Sequence, residues 1–201
     1  MFSRIQPLLG ALLVSLVPLG AAGQDCSLYG LNPGAPLWGG TVLYTDAAAD
    51  ALASLGVRWV RLNFRIDGRG AWDEELFQRY EEMVERSHSR GIEVLGLFCY
   101  EGVPGGQEQW NDDADGDGWN GYAETFVTTF GQVLERFQGA IPLWEIWNEP
   151  NCWSDPSYRS DPQHAGCYYI LPRVYGEILA EIRLRYQDVL AATGVGIVTG
   201  G

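Results

Sequence analysis

The residues best suited to chemistry lie in one short segment, residues 144–151, which read Trp-Glu-Ile-Trp-Asn-Glu-Pro-Asn. The apolar residues of its first half are typical of a buried strand, and Pro150 ends such a strand because it has no backbone N–H to donate. Asn148 and Glu149 are therefore predicted at the carboxyl end of the strand. A carboxyl group at that position could transfer a proton to or from a substrate.

The tryptophans that flank Glu149 are expected to tune its chemistry. Trp147 and Trp153 could cover the carboxyl group, and loss of hydration favours the neutral acid and raises its pKa. A carboxylic acid that is still protonated near neutral pH can act as a general acid. The neighbouring amide of Asn148 could hold a substrate hydroxyl by hydrogen bonding without competing for the proton.

A second carboxylate, Glu145, lies on the same strand. We expect it to be a buried ion-pair partner of Arg61 or Arg58 rather than a catalytic group, because a buried charge needs a partner. Arg61 falls on the Trp59 and Asn63 side of its own strand, since side chains alternate along a strand. We therefore expect Arg61 to belong to the site and not to the surface.

Strand-like and helix-like segments alternate from residue 27 onward. The predicted strands are 56–64, 92–100, 141–147 and 196–199, and the predicted helices are 73–90, 122–137 and 175–191. Upstream, Thr45 can cap a helix that ends at Leu55, and residues 27–31 and 41–44 compete for the first strand. Alternation of this kind, with strands apolar on both faces, is typical of a parallel sheet covered by helices. The sequence predicts an α/β domain with about five strands and four helices.

The composition excludes several classes of protein. With 46% hydrophobic and 19% charged residues, the chain is typical of a globular domain rather than of a disordered one. Its 201 residues correspond to one domain or slightly more. The net charge of −13 argues against nucleic acid and anionic membrane surfaces as partners, since both are polyanions.

The first 23 residues are predicted to be a secretory signal peptide and not part of the fold. Arg4 supplies the positive charge, residues 7–19 form a short apolar core, and residues 20–23 are small. The apolar run is shorter than the roughly 20 residues that a membrane-spanning helix needs. The mature domain is then residues 24–201, secreted to the extracellular space or the periplasm, where disulfides form.

Four cysteines remain after cleavage, Cys26, Cys99, Cys152 and Cys167, and sequence alone allows three pairings. Cys152 and Cys167 bracket a loop rich in Ser, Asp and Pro, which favours a disulfide between them. Such a closure contributes roughly 3 kcal/mol in the chain-entropy model. Whether Cys26 pairs with Cys99 depends on where the first strand begins, and it stays open.

An acidic segment fits the twelve-residue calcium-loop pattern. Asp113, Asp115 and Asp117 would supply carboxylates, Trp119 its carbonyl, and Glu124 a bidentate closing carboxylate. The alternative is a plain acidic turn in which Glu124 favours a helix N-terminus. We predict a structural calcium ion that braces the loop after the third strand, and no cofactor for catalysis.

Asn-Glu-Pro at a strand end resembles the acid/base signature of a large clan of retaining glycoside hydrolases with (β/α)₈ barrels. Residues 144–151 as a whole are similar to its xylosidase- and cellulase-like branches. Val-Arg-Leu at 60–62 is similar to the strand-2 arginine of the clan, and residues 196–201 resemble the start of strand 5. The resemblance implies the N-terminal part of a TIM barrel, about strands 1–5.

The clan carries its acid/base after strand 4, which implies that Glu149 is the catalytic acid/base. By the same resemblance Asn148 binds the sugar 2-hydroxyl, and Arg61 orients a nucleophile that follows strand 7. The clan commonly has a His near the end of strand 3, where this sequence has Tyr100, so Tyr100 is expected to bind substrate. Glu101 beside it is a substitute nucleophile that we do not favour.

The resemblance predicts a secreted O-glycosidase that acts with retention on a β-linked polysaccharide or oligosaccharide, with a carbohydrate as its partner. Trp147, Trp153 or Trp110 would stack on sugar rings. The alternative is a truncated, non-catalytic carbohydrate-binding protein. Residues 24–201 alone are expected to be inactive, since retention needs a second carboxylate about 5–5.5 Å from the first. They are also expected to be poorly soluble, since open sheet edges promote association.

Overall fold

The computed structural model of the protein describes residues 29–157 and 160–200. The predicted signal peptide and Cys26 lie outside the described residues, and so does the question of a Cys26–Cys99 pair. Within the described residues, Cys99 is buried and forms no disulfide. None of the helices in the described part is both long and apolar enough to cross a membrane.

In the described part of the chain, seven strands form two sheets. In chain order they are β1 (Gly30–Leu31), β2 (Leu37–Trp38), β3 (Thr41–Val42), β4 (Trp59–Phe64), β5 (Glu93–Phe98), β6 (Leu143–Ile146) and β7 (Gly196–Thr199). Strands β1, β4, β5, β6 and β7 make one parallel sheet in that order, and β2 pairs with β3 in an antiparallel hairpin. The predicted parallel sheet of five strands is therefore confirmed. The first strand comes from the 27–31 candidate, because residues 41–44 contribute to the hairpin instead.

Helices connect the strands as the hydrophobic periodicity predicts. They are α1 (Asp46–Ser54), α2 (Glu74–His88), α3 (Gln107–Trp110), α4 (Gly121–Arg136) and α5 (Pro172–Thr193). The predicted cap at Thr45 is confirmed, since its side chain accepts the Ala48 N–H at 3.3 Å. Asp73 and Asn120 cap α2 and α4 in the same way. These caps explain why the three helices begin where they do.

The core lies between the sheet and the helices. Along β4, Val60, Leu62 and Phe64 are buried against the helices, while the residues between them lie on the opposite, inner face of the sheet. Phe64 packs on Trp144 of β6 with ring centroids 4.7 Å apart. Trp144 also explains Gly96 in β5, where a Cβ would lie 2.5 Å from the indole. The opposite, inner face carries Arg61, Asn63 and Glu145 together with apolar side chains such as Leu95 and Leu143.

Candidate active site

Polar side chains of β4 and β6 gather on the inner face towards the carboxyl ends of these strands. In the sheet register, Asn63 pairs with Leu97, and Leu97 pairs with Glu145. Arg61 lies on the same face, two residues before Asn63 on β4. Because parallel strands end at one edge of the sheet, these side chains meet the segment that follows β6.

Arg61 connects the strands at this edge. Its guanidinium donates two hydrogen bonds to Glu145, at 2.6 and 2.8 Å, and a third to Asn148 Oδ1 at 2.9 Å. The bond to Glu145 raises the pKa of Arg61, so the guanidinium stays charged. Of the two partners predicted for Glu145, Arg61 is the one found. Since Asn148 accepts from Arg61 through its oxygen, its NH₂ group is left to donate to a ligand.

The backbone after β6 is unusual at two residues. Trp147 and Glu149 have left-handed φ angles of 71° and 51°, a conformation that costs a non-glycine residue about 1–2 kcal/mol. Such strain persists only where the surroundings impose it, and it concentrates at functional sites. Here Trp147 N–H donates to the Phe98 carbonyl at 2.9 Å, and the Glu149 carbonyl accepts from Cys152 N–H at 2.9 Å.

The left-handed turn reverses the alternation of side chains and corrects the prediction for Trp147. A continued strand would place Trp147 on the inner face with Glu145. Instead its indole is 0% exposed in the helix-side core, 5.3 Å from the Trp110 ring, and donates to the Tyr168 carbonyl at 2.8 Å. Asn148 takes the inner-face position and reaches Arg61. Trp147 and Trp110, which is 5% exposed, therefore do not present their rings to a sugar.

Glu149 is exposed at the rim of the sheet. The expected cover by Trp147 is wrong for the same reason, since that indole points into the core. The predicted disulfide between Cys152 and Cys167 is confirmed. Its two sulfur atoms and a Glu149 carboxylate oxygen lie within 4.8 Å of one another. The disulfide thus fixes the loop that borders Glu149, and Trp153 in this loop is 43% exposed.

The helix α3 holds the far end of that loop. Gln107 accepts the Gly166 N–H at 2.6 Å and donates to the Tyr169 carbonyl at 2.9 Å. These hydrogen bonds place Tyr168 against Tyr100, and the two rings stack with their centroids 4.4 Å apart. Burial and the hydrogen bond to Tyr168 raise the pKa of Tyr100, so its hydroxyl remains protonated. Tyr100, predicted to bind substrate, lies half-buried at this rim.

Sequence reasoning missed a second polar group, which follows β4 and β5. Arg65 pairs with Glu101 at 3.1 Å, and Asn63 donates a short hydrogen bond to the same carboxylate. The Arg65 guanidinium also lies 4.6 Å from the ring centroid of Trp38, which is 61% exposed. The sequence carried a signal for this group, because Arg61, Asn63 and Arg65 stand at every second position, which places their side chains on one face of an extended segment. Glu101, considered as a substitute nucleophile, is held in this group.

The acidic loop brings only part of the predicted calcium ligands together. Carboxylate oxygens of Asp113, Asp115 and Asp117 lie within 4.8 Å of one another. Asp113 accepts the Gly118 N–H at 2.7 Å and pairs with Arg173 at 3.1 Å. The guanidinium of Arg173 therefore already offsets part of the negative charge that would attract a cation.

Glu124, the predicted closing ligand, is not among the carboxylates of this cluster. It lies in the first turn of α4 and accepts two hydrogen bonds from Arg185, both at 2.7 Å. The same guanidinium lies 5.3 Å from the ring centroid of Trp119. Asn120 caps α4, and the Glu124 carboxylate is held by Arg185 of α5 rather than by the aspartate cluster.

No protein-family model matches the sequence, and no curated protein matches it. Solved structures do resemble the fold. Cel5A of Thermotoga maritima, crystallised with a mannotriose substrate, superposes with a TM-score of 0.57 at 19% identity over 86% of this chain and 51% of its own. The family 1 β-glucosidase of Thermotoga maritima gives 0.52 at 17% identity, over 76% of this chain and 36% of its own.

The rice β-glucosidase Os3BGlu6 gives a TM-score of 0.55 at 15% identity, over 76% of this chain and 36% of its own. The chain thus spans about half of Cel5A and about a third of the two β-glucosidases. At these identities the likeness shows the fold. The five-stranded parallel sheet with its helices corresponds to part of a (β/α)₈ barrel.

Proposed function

We propose that the chain belongs to a secreted retaining glycoside hydrolase in which Glu149 is the general acid/base. The observation that carries the proposal is the arrangement of Glu145, Arg61 and Asn148 beside it. Two bonds from Arg61 fix Glu145 and a third fixes the Asn148 oxygen. This leaves the NH₂ group of Asn148 to donate to a ligand, one residue before the exposed Glu149. A proton donor beside a fixed hydroxyl-binding group suits the cleavage of a glycosidic bond.

The proposed reaction has two steps. In the first, a second carboxylate bonds to the anomeric carbon, the bond to the leaving oxygen breaks, and Glu149 gives that oxygen its proton. In the second, Glu149 takes a proton from water, the water oxygen bonds to the anomeric carbon, and the second carboxylate leaves. The family resemblance places this second carboxylate after a seventh strand. We accordingly expect residues 24–201 alone not to hydrolyse glycosides.

The neighbouring side chains have supporting roles in this proposal. Asn148 would donate to the sugar 2-hydroxyl through its free NH₂ group. Arg61 would keep Asn148 oriented and place a positive charge near the second carboxylate. Trp153 and the Tyr100–Tyr168 stack would border the bound sugar, since aromatic side chains commonly line such sites. The Cys152–Cys167 disulfide supports an oxidising, extracellular or periplasmic location.

The proposal is tested by assaying hydrolysis by the complete protein. The substrates are aryl β-xylosides and β-glucosides and xylo-, cello- and manno-oligosaccharides. Proton NMR of the first product formed reports the anomeric configuration, and we expect it to match that of the substrate. Inversion would contradict the two-step reaction. Tight binding of oligosaccharides with no hydrolysis would support the alternative of a non-catalytic carbohydrate-binding protein.

A further inference from the structure

A second aromatic surface lies at the same edge of the sheet as Glu149 but over other strands. Trp38 is the most exposed tryptophan of the residues that the structure describes, with 61% of its surface accessible. The guanidinium of Arg65 lies against its ring, 4.6 Å from the centroid. Because Arg65 covers one face of the indole, the exposed area includes the other face. We call this pair the Trp38 platform.

The platform is held in place from two sides. Asp67 accepts the N–H groups of Gly39 and Gly40, at 3.0 and 2.6 Å, and Arg79 donates to the Gly40 carbonyl at 2.7 Å. Both glycines have positive φ, which the turn between β2 and β3 requires. These bonds anchor the hairpin to the segments after β4 and in α2. Trp38 is therefore pre-organised, which lowers the entropy lost when a ligand binds.

Arg65 links the platform to the polar edge of the sheet. It pairs with Glu101 at 3.1 Å, and Glu101 also accepts from Asn63 on the inner face. The exposed indole is thus bordered by side chains that can exchange hydrogen bonds with hydroxyl groups. An aromatic face with a few polar groups at its edge suits a ligand that has both apolar and hydroxyl-bearing surfaces.

The distance from Glu149 defines what such a ligand must be. Arg65 follows β4 and Glu149 follows β6, with β5 between them. Two strand spacings amount to roughly 10 Å, which is more than one sugar ring. A sugar unit on the platform would therefore be a different unit from the one whose glycosidic oxygen Glu149 protonates.

We propose that the Trp38 platform binds one pyranose unit of a β-linked oligosaccharide, at a distance from the bond that is cleaved. The C–H face of the pyranose stacks on the open face of the indole, and Glu101 and Asn63 lie within the polar border. The inference rests on the proposed function and adds to it a preference for substrates of several sugar units. The competing role for Trp38 is a cover that shields the Arg65–Glu101 pair.

The test compares Trp38→Ala and Trp38→Tyr with Leu43→Ala in the complete protein. Leu43 is exposed and follows the same hairpin, so it is a control for disturbance of this segment. Substrates run from aryl β-xyloside and β-glucoside through xylo- and cello-oligosaccharides up to hexasaccharides. We expect Trp38→Ala to raise KM about three- to tenfold on the longest substrates, with a loss that shrinks as the chain shortens. Trp38→Tyr restores most of it, and Leu43→Ala behaves as wild type throughout.

Calorimetric binding of the same oligosaccharides separates the two proposals. A protein that hydrolyses nothing but binds hexasaccharides through Trp38 supports the platform and overturns the glycosidase. A protein that hydrolyses aryl glycosides but shows equal losses in Trp38→Ala at every chain length overturns the platform, and a lowered Tm would then identify Trp38 as a cover. Unchanged affinity for every oligosaccharide in Trp38→Ala also overturns the platform.

Discussion

The end of β6 and the acidic loop before α4 both concentrate charged side chains, but their partners come from different kinds of element. After β6, the partner of Glu145 and Asn148 is Arg61 of β4, in the same parallel sheet. In the acidic loop, the partners are arginines of α5, which pair with Asp113 and Glu124 separately. The first region brings its predicted residues together, whereas the second brings three aspartates together and pairs Glu124 with Arg185 instead.

The difference follows from geometry. Strands of one sheet lie at a fixed spacing and register, so residues near their carboxyl ends must meet. A loop has no such constraint, and long arginine side chains can satisfy its carboxylates one at a time. Spacing along the sequence is therefore a better guide to a site at strand ends than to a site within one loop.

The largest effect is expected at Glu149. Glu149→Gln should lower kcat about 10²- to 10⁴-fold on oligosaccharides, because it removes the proton donor. The loss should be much smaller on aryl glycosides with activated leaving groups, which need little protonation. Steady-state kinetics on both substrate types measure the split, with Tm as a check on folding. An equal loss of kcat on both substrate types would show that Glu149 is not the general acid.

The next largest effect concerns the ion pair behind the site. Glu145→Gln should release Arg61 and with it Asn148, and misplacement of a substrate-binding group can cost up to about 100-fold in rate. Glu124→Gln is the matched control, because Glu124 also accepts two bonds from an arginine but lies outside the site. Measured kcat and KM should change in the first variant alone. A similar change in both would mean that the two regions do not differ as described.

A smaller effect tests whether the acidic loop still binds calcium without Glu124. At a calcium concentration tenfold above Kd, mass action adds about 1.4 kcal/mol of stability, which is roughly 3–6 °C in Tm for a chain of this size. Asp115→Ala should abolish the difference between calcium and chelator, and Arg173→Ala should increase it by removing a competing cation. Identical melting curves with calcium and with chelator would mean that the loop is a plain acidic turn that does not bind calcium.

The smallest effect concerns pH. The hydrogen bond from Arg185 lowers the pKa of Glu124 from 4.5 to about 2. A carboxylate with a lowered pKa stabilises the fold fully above its unfolded value, and that contribution disappears as pH falls towards the folded value. The Tm difference between wild type and Glu124→Gln should therefore be present at neutral pH and vanish towards pH 2. It should be small, since the pair is solvent-exposed, and a difference independent of pH would contradict the assignment.

Much of the fold was predictable because its signals are local. The cap at Thr45 and the helical periodicity of α2, α4 and α5 placed those helices within a few residues. The loop composition between Cys152 and Cys167 indicated their disulfide. The direction of Trp147 was not predictable, because a left-handed tryptophan depends on contacts such as the bond to Phe98 and not on its neighbours in sequence.

By itself, the sequence determined which segments form the main strands and which residues stand near their carboxyl ends, because side-chain alternation and helix periodicity are properties of short segments. Only the tertiary structure decided which carboxylate meets which arginine. Arg61 and Glu145 are 84 residues apart, and Glu124 and Arg185 are 61 apart. Pairs at such separations are set by the packing of whole elements, since an arginine side chain can reach several carboxylates and the fold determines which one is near.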